Sequence, residues 1–298
     1  LIRYFKSEYI CSLLNSVINN TDKVCEYIKF SETLDIKILP PNVNRSYKKF
    51  IVNGEDIFFG LSAIKNLGEN ACEKIVYHRQ KYGEFKDEYE FFKVCVQNSI
   101  NKKSIECIIK SGALDSFKIS RRSLLMNFEK IVDGISSELK RNIDGQMSLF
   151  NEIDGGEKII RVQNVLEDDI YKNLLFEKEV LGLYISGHPT YKYEEIFNKS
   201  CTSDISYYMN ESHLKDDENV ILGGVIRDYK KIVTRNNSIM SILDLEDKYF
   251  SIRCVVFPRI YEKFSYLINS DNIVIIKGVL KVDDDEVKVL VNDIDDIS

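Results

Sequence analysis

The chain has 298 residues, of which 44% are hydrophobic and 30% charged, with a formal net charge of −6 and a pI near 5.4. That length and apolar content allow two or three ordinary cores, and no apolar run approaches the roughly 18 residues of a spanning helix, so a membrane protein is excluded as an expectation and a cytoplasmic one favoured. The seven cysteines are odd in number, scattered and without a CxxC pair, and His78, His188 and His213 stand at no metal-ligand spacing, which argues for reduced thiols and against a zinc site.

Taken in order, the chain starts within an amphipathic pattern (Tyr9, Ile10, Leu13, Leu14, Val17, Ile18), which reads as a helix cut from a longer protein. Asn20-Thr21-Asp22 then caps a second helix running to about Glu32. LDIKILPPNVN predicts a short strand stopped by Pro40-Pro41, and Asn53-Gly54 between KFIV and DIFF predicts a hairpin over 49–60.

Residues 60–81, GLSAIKNLGENACEKIVYHRQK, read as two short helices around a tight turn. Leu61, Ile64 and Leu67 mark one face before it, and Ala71, Ile75 and Val76 continue that face afterwards. Gly68 can take a positive φ at no steric cost, and Asn66 is among the few other residues that tolerate one. The second helix then begins with unpaired N–H groups and a positive dipole end, which suits a phosphate. This is the helix-hairpin-helix pattern, with a plain helical hairpin as the alternative.

A second copy is predicted at 102–117, KKSIECIIKSGALDSF, around Ser111-Gly112, beyond an aromatic connector of Phe85, Tyr89, Phe91 and Phe92. Between residues 61 and 141 fifteen Lys/Arg face eleven Asp/Glu, a local excess of four in an acidic chain. Two such units resemble the tandem helix-hairpin-helix domain, which straddles duplex DNA by its backbone; the resemblance implies duplex DNA as the ligand, with backbone amides at 66–70 and 111–113 as donors, and the local charge agrees. The candidate residues are Lys65, Asn66, Gly68, Glu69, Asn70 and Lys74 in the first unit, and Lys102, Lys103, Lys110, Ser111, Gly112 and Ala113 in the second.

RRSLLMNFEKIVDGI predicts a helix over 121–135, followed to Asp168 by a polar, glycine-dotted linker. Inside it Gln146, Met147, Ser148, Leu149 and Phe150 form a peptide whose two large apolar residues are costly to expose and so dock somewhere. A helix resumes at Asp168–Gly182 and stops at SGHP, where His188 reads as structural rather than catalytic. From Asn219 the period changes to 2, giving three strands, one helix and two strands. That order is the OB-fold's, with Gly223-Gly224 at the bend of its first strand. Arg227, Tyr229, Lys230, Lys231, Arg235 and Arg253 are candidates for holding single-stranded DNA, the alternative being that they solvate an outer face.

The expected class is therefore multidomain α+β, a largely helical part with a tandem hairpin domain followed by an all-β barrel. Taken together, NTDKVCEYIKF and IKILPPNVN, FGLSAIKNLGENACEKIV, NKKSIECIIKSGALDS, GQMSLF and EKEVLGLYISGHP resemble, in order, the C-terminal portion of the DnaE-type α subunits of bacterial DNA polymerase III. The resemblance implies the end of a fingers region at 1–45, the hairpin domain at 46–135, a linker at 136–167 whose QMSLF enters the β sliding clamp, a connector at 168–217, and an OB-fold at 218–298. Asn66 departs from the glycine common in the family, and Met147 stands where clamp peptides usually carry leucine.

The resemblance also implies that the catalytic aspartates and their two divalent metal ions (Mg) lie upstream of Leu1, that a contact for the clamp loader comes after Ser298, and that this fragment binds DNA within the replicative holoenzyme without polymerising. No catalytic residue, metal site or cofactor is expected in it, and Asp283-Asp284-Asp285 reads as a solvated turn. The rival readings are a hairpin-helix nuclease, which lacks clustered metal ligands here, and a free-standing repair module combining hairpin-helix and OB domains.

Overall fold

The computed structural model describes residues 5–143, 162, 166–209, 214–247, 250–283 and 286–297. It divides into two compact units, Leu1–Ser186 and Gly187–Ser298. The stretch expected to be a connector therefore parts between Ser186 and Gly187.

In the first unit α1 (Lys6–Ser16) and α2 (Thr21–Glu32) form as expected, with the Asn20 side chain accepting from the Lys23 amide at 3.1 Å. A small sheet comes next, in which β1 (Ile38–Leu39) runs parallel to β3 (Asp56–Phe58) and β2 (Ile51–Asn53) pairs antiparallel with β3 across Gly54. Helices α3 (Glu69–Tyr82), α4 (Glu88–Gln97), α5 (Lys102–Lys110) and α6 (Arg121–Ile143) complete the hairpin region. Their apolar faces share one core that includes Ile64, Leu67, Ile75, Phe91, Phe92, Ile105, Ile108, Leu124 and Phe128.

Two boundaries differ from expectation. The aromatic connector is a full helix, α4, because Phe91, Phe92, Val94 and Cys95 all turn inward at helical spacing. Helix α6 continues to Ile143, past the expected end at residue 135, because Leu139 carries its apolar stripe one turn further and Gly134 is tolerated inside a helix this long. α7 (Ile170–Leu181) is capped by Asp169, which accepts from the Lys172 amide at 3.2 Å, and ends at Gly182 with φ 86°.

α7 is bound to the hairpin region by one buried charge cluster. The Arg121 guanidinium donates to Glu177 at 2.9 Å and to Asp115 at 2.7 Å, and also reaches the carbonyls of Lys110 and Asn173 at 3.2 Å each. Glu177 further accepts from the Ser186 hydroxyl at 2.6 Å and from the amides of Ile185 and Ser186 at 2.9 Å each.

The second unit opens with α8 (Glu194–Ser200) and α9 (Ile205–Tyr208) and closes as a barrel. Its strands are β4 (Asn219–Val233), β5 (Ile239–Glu246), β6 (Ser251–Val256), β7 (Ile273–Asp283) and β8 (Glu286–Asp296), with α10 (Pro258–Phe264) between β6 and β7. The ring order β4-β5-β6-β8-β7, antiparallel except where β6 meets β8, is the five-stranded OB arrangement.

The register of β4 with β5 shifts at Arg227, as a bulge does. Gly223 and Gly224, expected at the bend of this strand, allow close approach: a Cβ on Gly223 would sit 2.3 Å from the Phe197 ring, and one on Gly224 would sit 2.6 Å from the Glu246 carbonyl. His188 heads a 3-10 turn, its Nδ1 lying 2.6 Å from the Thr190 hydroxyl, which fits the structural role read from SGHP.

Candidate nucleic-acid interface

The first hairpin is a 3-10 turn at Leu61–Ala63, a loop through Lys65–Gly68, and α3. The left-handed residue is Asn66, at φ 60°. Gly68, the other residue able to hold that conformation, is extended at φ −66° and ψ 153° and occupies the N-cap position of α3. The reason is positional: the chain reverses at Asn66, so the residue entering the helix two places later needs ordinary cap geometry.

No side chain caps α3, and no described residue accepts from the amides of Asn70 and Ala71. The Lys65 and Leu67 amides, by contrast, bond to the carbonyls of Val180 and Ile64. A Cβ on Gly68 would meet nothing within 4 Å, so the backbone there lies open to whatever approaches from outside. Accordingly Asn66→Val is expected to cost about 1–2 kcal/mol in thermal melting, because a β-branched residue resists the left-handed region, while Gly68→Ala leaves melting unchanged.

The second hairpin is not at Ser111-Gly112. It is the turn between α4 and α5, where Ser99 takes φ 57°, Ile100 turns inward, and Asn101 caps α5 by accepting from the Ser104 amide at 2.8 Å. Asn66-Leu67-Gly68-Glu69 and Ser99-Ile100-Asn101-Lys102 thus repeat one backbone pattern of left-handed residue, buried apolar residue, N-cap and first helical residue. Side chains link the two turns. The Ser104 hydroxyl of α5 donates to the Asn66 carbonyl at 2.7 Å, and Lys74 of α3 donates to the Asn98 carbonyl at 2.8 Å. Lys65, Asn66, Gly68, Asn70 and Lys74 line one groove of about 680 Å³ together with Asn98, Ser99 and Asn101.

Ser111, Gly112 and Ala113 are corrected accordingly. Their amides are spent on the carbonyls of Cys107, Ile109 and Ile108, all three residues are buried, and a Cβ on Gly112 (φ 79°) would lie 2.2 Å from the Arg121 guanidinium. This turn closes the C-terminal end of α5, so the helix end nearby presents carbonyls rather than the amides an anion needs. Lys110 is likewise withdrawn, only 13% exposed and paired with Glu106 at 2.8 Å and Glu179 at 2.7 Å.

The remaining charges are distributed unevenly. Lys102 reaches Asp133 at 2.8 Å and Lys103 reaches Glu106 at 3.0 Å, both as exposed pairs that a phosphate could replace at little cost. Glu69 is drawn aside by Lys48 at 2.6 Å, whose hydrogen bond holds the carboxyl below its ordinary range, and Lys48 also holds Glu73 at 2.6 Å. Sequence reasoning passed over Lys48, Asn98, Ser99 and Asn101. The last three were legible as a polar turn closing on a good N-cap before KKSIEC.

On the barrel the six basic and aromatic candidates part between two faces. Lys230 and Arg253 share the outward face, in strand rows with Ile242 and Val255 and with Asp244. Tyr229 packs against the barrel core, and the Tyr261 hydroxyl of α10 raises the pKa of its near neighbour Lys231. Arg227 sits in the bulge 3.8 Å from Glu246, Arg253 is paired with both Asp244 and Glu286, and Arg235 is exposed in the turn between β4 and β5.

The peptide Gln146, Met147, Ser148, Leu149, Phe150 lies outside the described residues, as do Asp284 and Asp285. Among the described residues no group of three or more His, Cys, Asp or Glu could hold a metal, and no helix is long and apolar enough to cross a membrane.

Comparison with known proteins agrees with this architecture. A family described as a helix-hairpin-helix motif matches residues 35–124, and one described as an OB-fold nucleic acid binding domain matches residues 220–297. The chain is 36% identical over 270 residues to the DNA polymerase III subunit alpha of Thermus aquaticus, covering 90% of this chain and 22% of that protein. It is 37% identical over 267 residues to that of Aquifex aeolicus and 32% identical over 296 residues to that of Borreliella burgdorferi, covering 89% and 97% of this chain. The chain spans 21–26% of the length of these relatives. The resemblance to the α subunits read from the sequence motifs therefore holds over nearly the whole chain, as do the hairpin-helix and OB-fold assignments.

Proposed function

Because the chain is similar along about nine-tenths of its length to one segment of DNA polymerase III α subunits, we propose that it is the part of such a polymerase that grips duplex DNA without reading its sequence. The observation that carries this reading is the pair of hairpin turns opening, through one repeated backbone pattern, onto a single groove. Amides at the start of α3 and α5 supply fixed partial positive charge, Lys74 adds a charge held in place by the Asn98 carbonyl, and Lys65, Lys102 and Lys103 supply mobile charge around them. Backbone donors recognise phosphate oxygens, which every sequence shares.

Nucleotidyl transfer, with its two divalent ions, belongs in this reading to other parts of the parent polymerase. The peptide Gln146–Phe150 docks on the sliding clamp, Leu149 and Phe150 filling an apolar pocket while Gln146 hydrogen-bonds at its lip. The barrel meets single-stranded template by way of Arg227, Lys230 and Arg235. One observation favours a protein partner on the barrel instead: the outward face of β5 and β6 carries Met240, Ile242 and Val255, with Arg253 already engaged by two carboxylates.

The experiment is duplex binding across a salt series. Lys65→Glu combined with Lys103→Glu is expected to weaken a blunt duplex about tenfold or more and to flatten the dependence of log affinity on log salt by roughly two, one for each lost phosphate contact. Unchanged affinity and slope would remove the groove from the interface.

A further inference from the structure

The outer end of α3 carries a feature that the duplex groove does not use. From the core outward, aromatic rings succeed one another. Phe91 meets Phe85 edge-on at 5.3 Å, Phe85 stacks on His78 at 5.0 Å with 14° between planes, and His78 lies 4.9 Å from Tyr82. The series ends in solvent, with Tyr82 65% exposed and Tyr77, five residues back, 59% exposed. The Lys81 ammonium lies between them, 5.0 Å from the Tyr82 ring centroid and 5.6 Å from that of Tyr77. An exposed tyrosine is ordinarily free to turn. Here Tyr82 is backed by rings that continue into the core, so little rotamer entropy is left to lose when something stacks on it.

We propose that Tyr77, Lys81 and Tyr82 form a stacking platform for unpaired nucleotides, the two rings taking base faces and Lys81 the neighbouring phosphate. The chemistry favours nucleic acid over an apolar protein surface. An ammonium group covered by apolar side chains loses its water without replacement, whereas a phosphate replaces it. Rings beside a cation are the elements from which sequence-tolerant single-strand sites are assembled. Position agrees as well. Thirteen helical steps separate Glu69 from Tyr82, about 20 Å, so α3 presents amides to the groove at one end and rings at the other. The platform rests on the duplex reading only for its second contact, since a strand leaving the groove would run past it.

The test uses the full chain and one duplex, either blunt or extended by a single strand, of each polarity in turn, long enough to cover that distance. An extension is expected to tighten binding about tenfold, and because stacking supplies most of this increment and Lys81 meets a single phosphate, it falls less steeply with salt than the blunt contribution. Tyr77→Ala with Tyr82→Ala should abolish the increment and leave blunt binding and melting unchanged, while Tyr77→Phe with Tyr82→Phe should keep it. An extension that adds nothing, or one whose gain survives the alanine pair, overturns the platform and leaves these rings to a protein partner or the gain to the barrel. Failure of blunt duplex binding would instead overturn the groove. If the alanine pair melts early, Lys81→Glu decides: the increment falls if Lys81 holds the phosphate and stands if it does not.

Discussion

Replacing Arg121 with alanine is expected to destabilise the first unit by about 3–5 kcal/mol, the range for stranding one member of a buried ion pair. The loss comes chiefly through Glu177. That carboxylate is 1% exposed, and without Arg121 it keeps three neutral donors, from Ile185 and Ser186, but no positive charge. Asp115 is 49% exposed and recovers water, so it contributes less. The carbonyls of Lys110 and Asn173 also lose their donor. Arg121→Met with Glu177→Leu removes both charges at once and should recover much of the stability, since a buried pair is often matched by apolar groups of similar volume. Urea titration of the wild type and these two variants checks this. The barrel transition should not move in either variant, and a single mutant melting like the double would mean that Glu177 is not stranded by the loss of Arg121.

Leu149→Ala with Phe150→Ala is expected to abolish clamp binding, a fall of at least about a hundredfold. Fully burying two such side chains is worth roughly 1.5–3 kcal/mol each, and every 1.4 kcal/mol is tenfold in affinity. The isolated peptide should bind only at about micromolar strength once the entropy of ordering it is subtracted. On the proposed reading its usefulness depends on tethering, because a clamp encircling a duplex in the hairpin groove would meet the peptide at high effective concentration. Melting should not change, for the reading requires those side chains to be spent on the clamp. A large loss of stability with clamp binding intact would show the pair packing on its own domain.

What the sequence displayed well was periodicity. The change from a 3.6-residue to a 2-residue repeat near Asn219 is the direct signature of side chains alternating across a barrel wall, and it accounts for the five strands and the helix between β6 and β7. The first hairpin was legible for a similar reason, its apolar face continuing through the turn. The second was misplaced because a Ser-Gly pair after a helix marks equally a hairpin turn or a C-terminal cap, and only the next elements of the chain tell the two apart. After Gly112 these are a 3-10 turn at Asp115–Phe117 and a helix that does not start until Arg121. The true turn hides its left-handed residue in Ser99, a type that does not announce φ above zero. At the first turn the sequence offered both Gly68 and Asn66 for that conformation, and it falls on Asn66. Contacts between distant residues were beyond reach altogether. Arg121 and Glu177 stand 56 positions apart in ordinary charged surroundings, and Lys48 precedes the helix whose carboxylates it holds by a strand pair.

The cross-bonds from Ser104 to Asn66 and from Lys74 to Asn98 join the two turns on both sides of the groove. Neither turn can swing outward without breaking a bond anchored in the other's helix, so the two sets of amides face a ligand as one stiff unit before any ligand arrives. A stiff cradle needs no folding step on encounter, which leaves association limited by diffusion and steering and the heat-capacity change of binding small. It also sets how the grip is lost. If the groove grips duplex DNA as proposed, its donors cannot track a backbone that bends or widens, a distorted duplex would forfeit several contacts together, and the groove would act as a gauge of helical regularity.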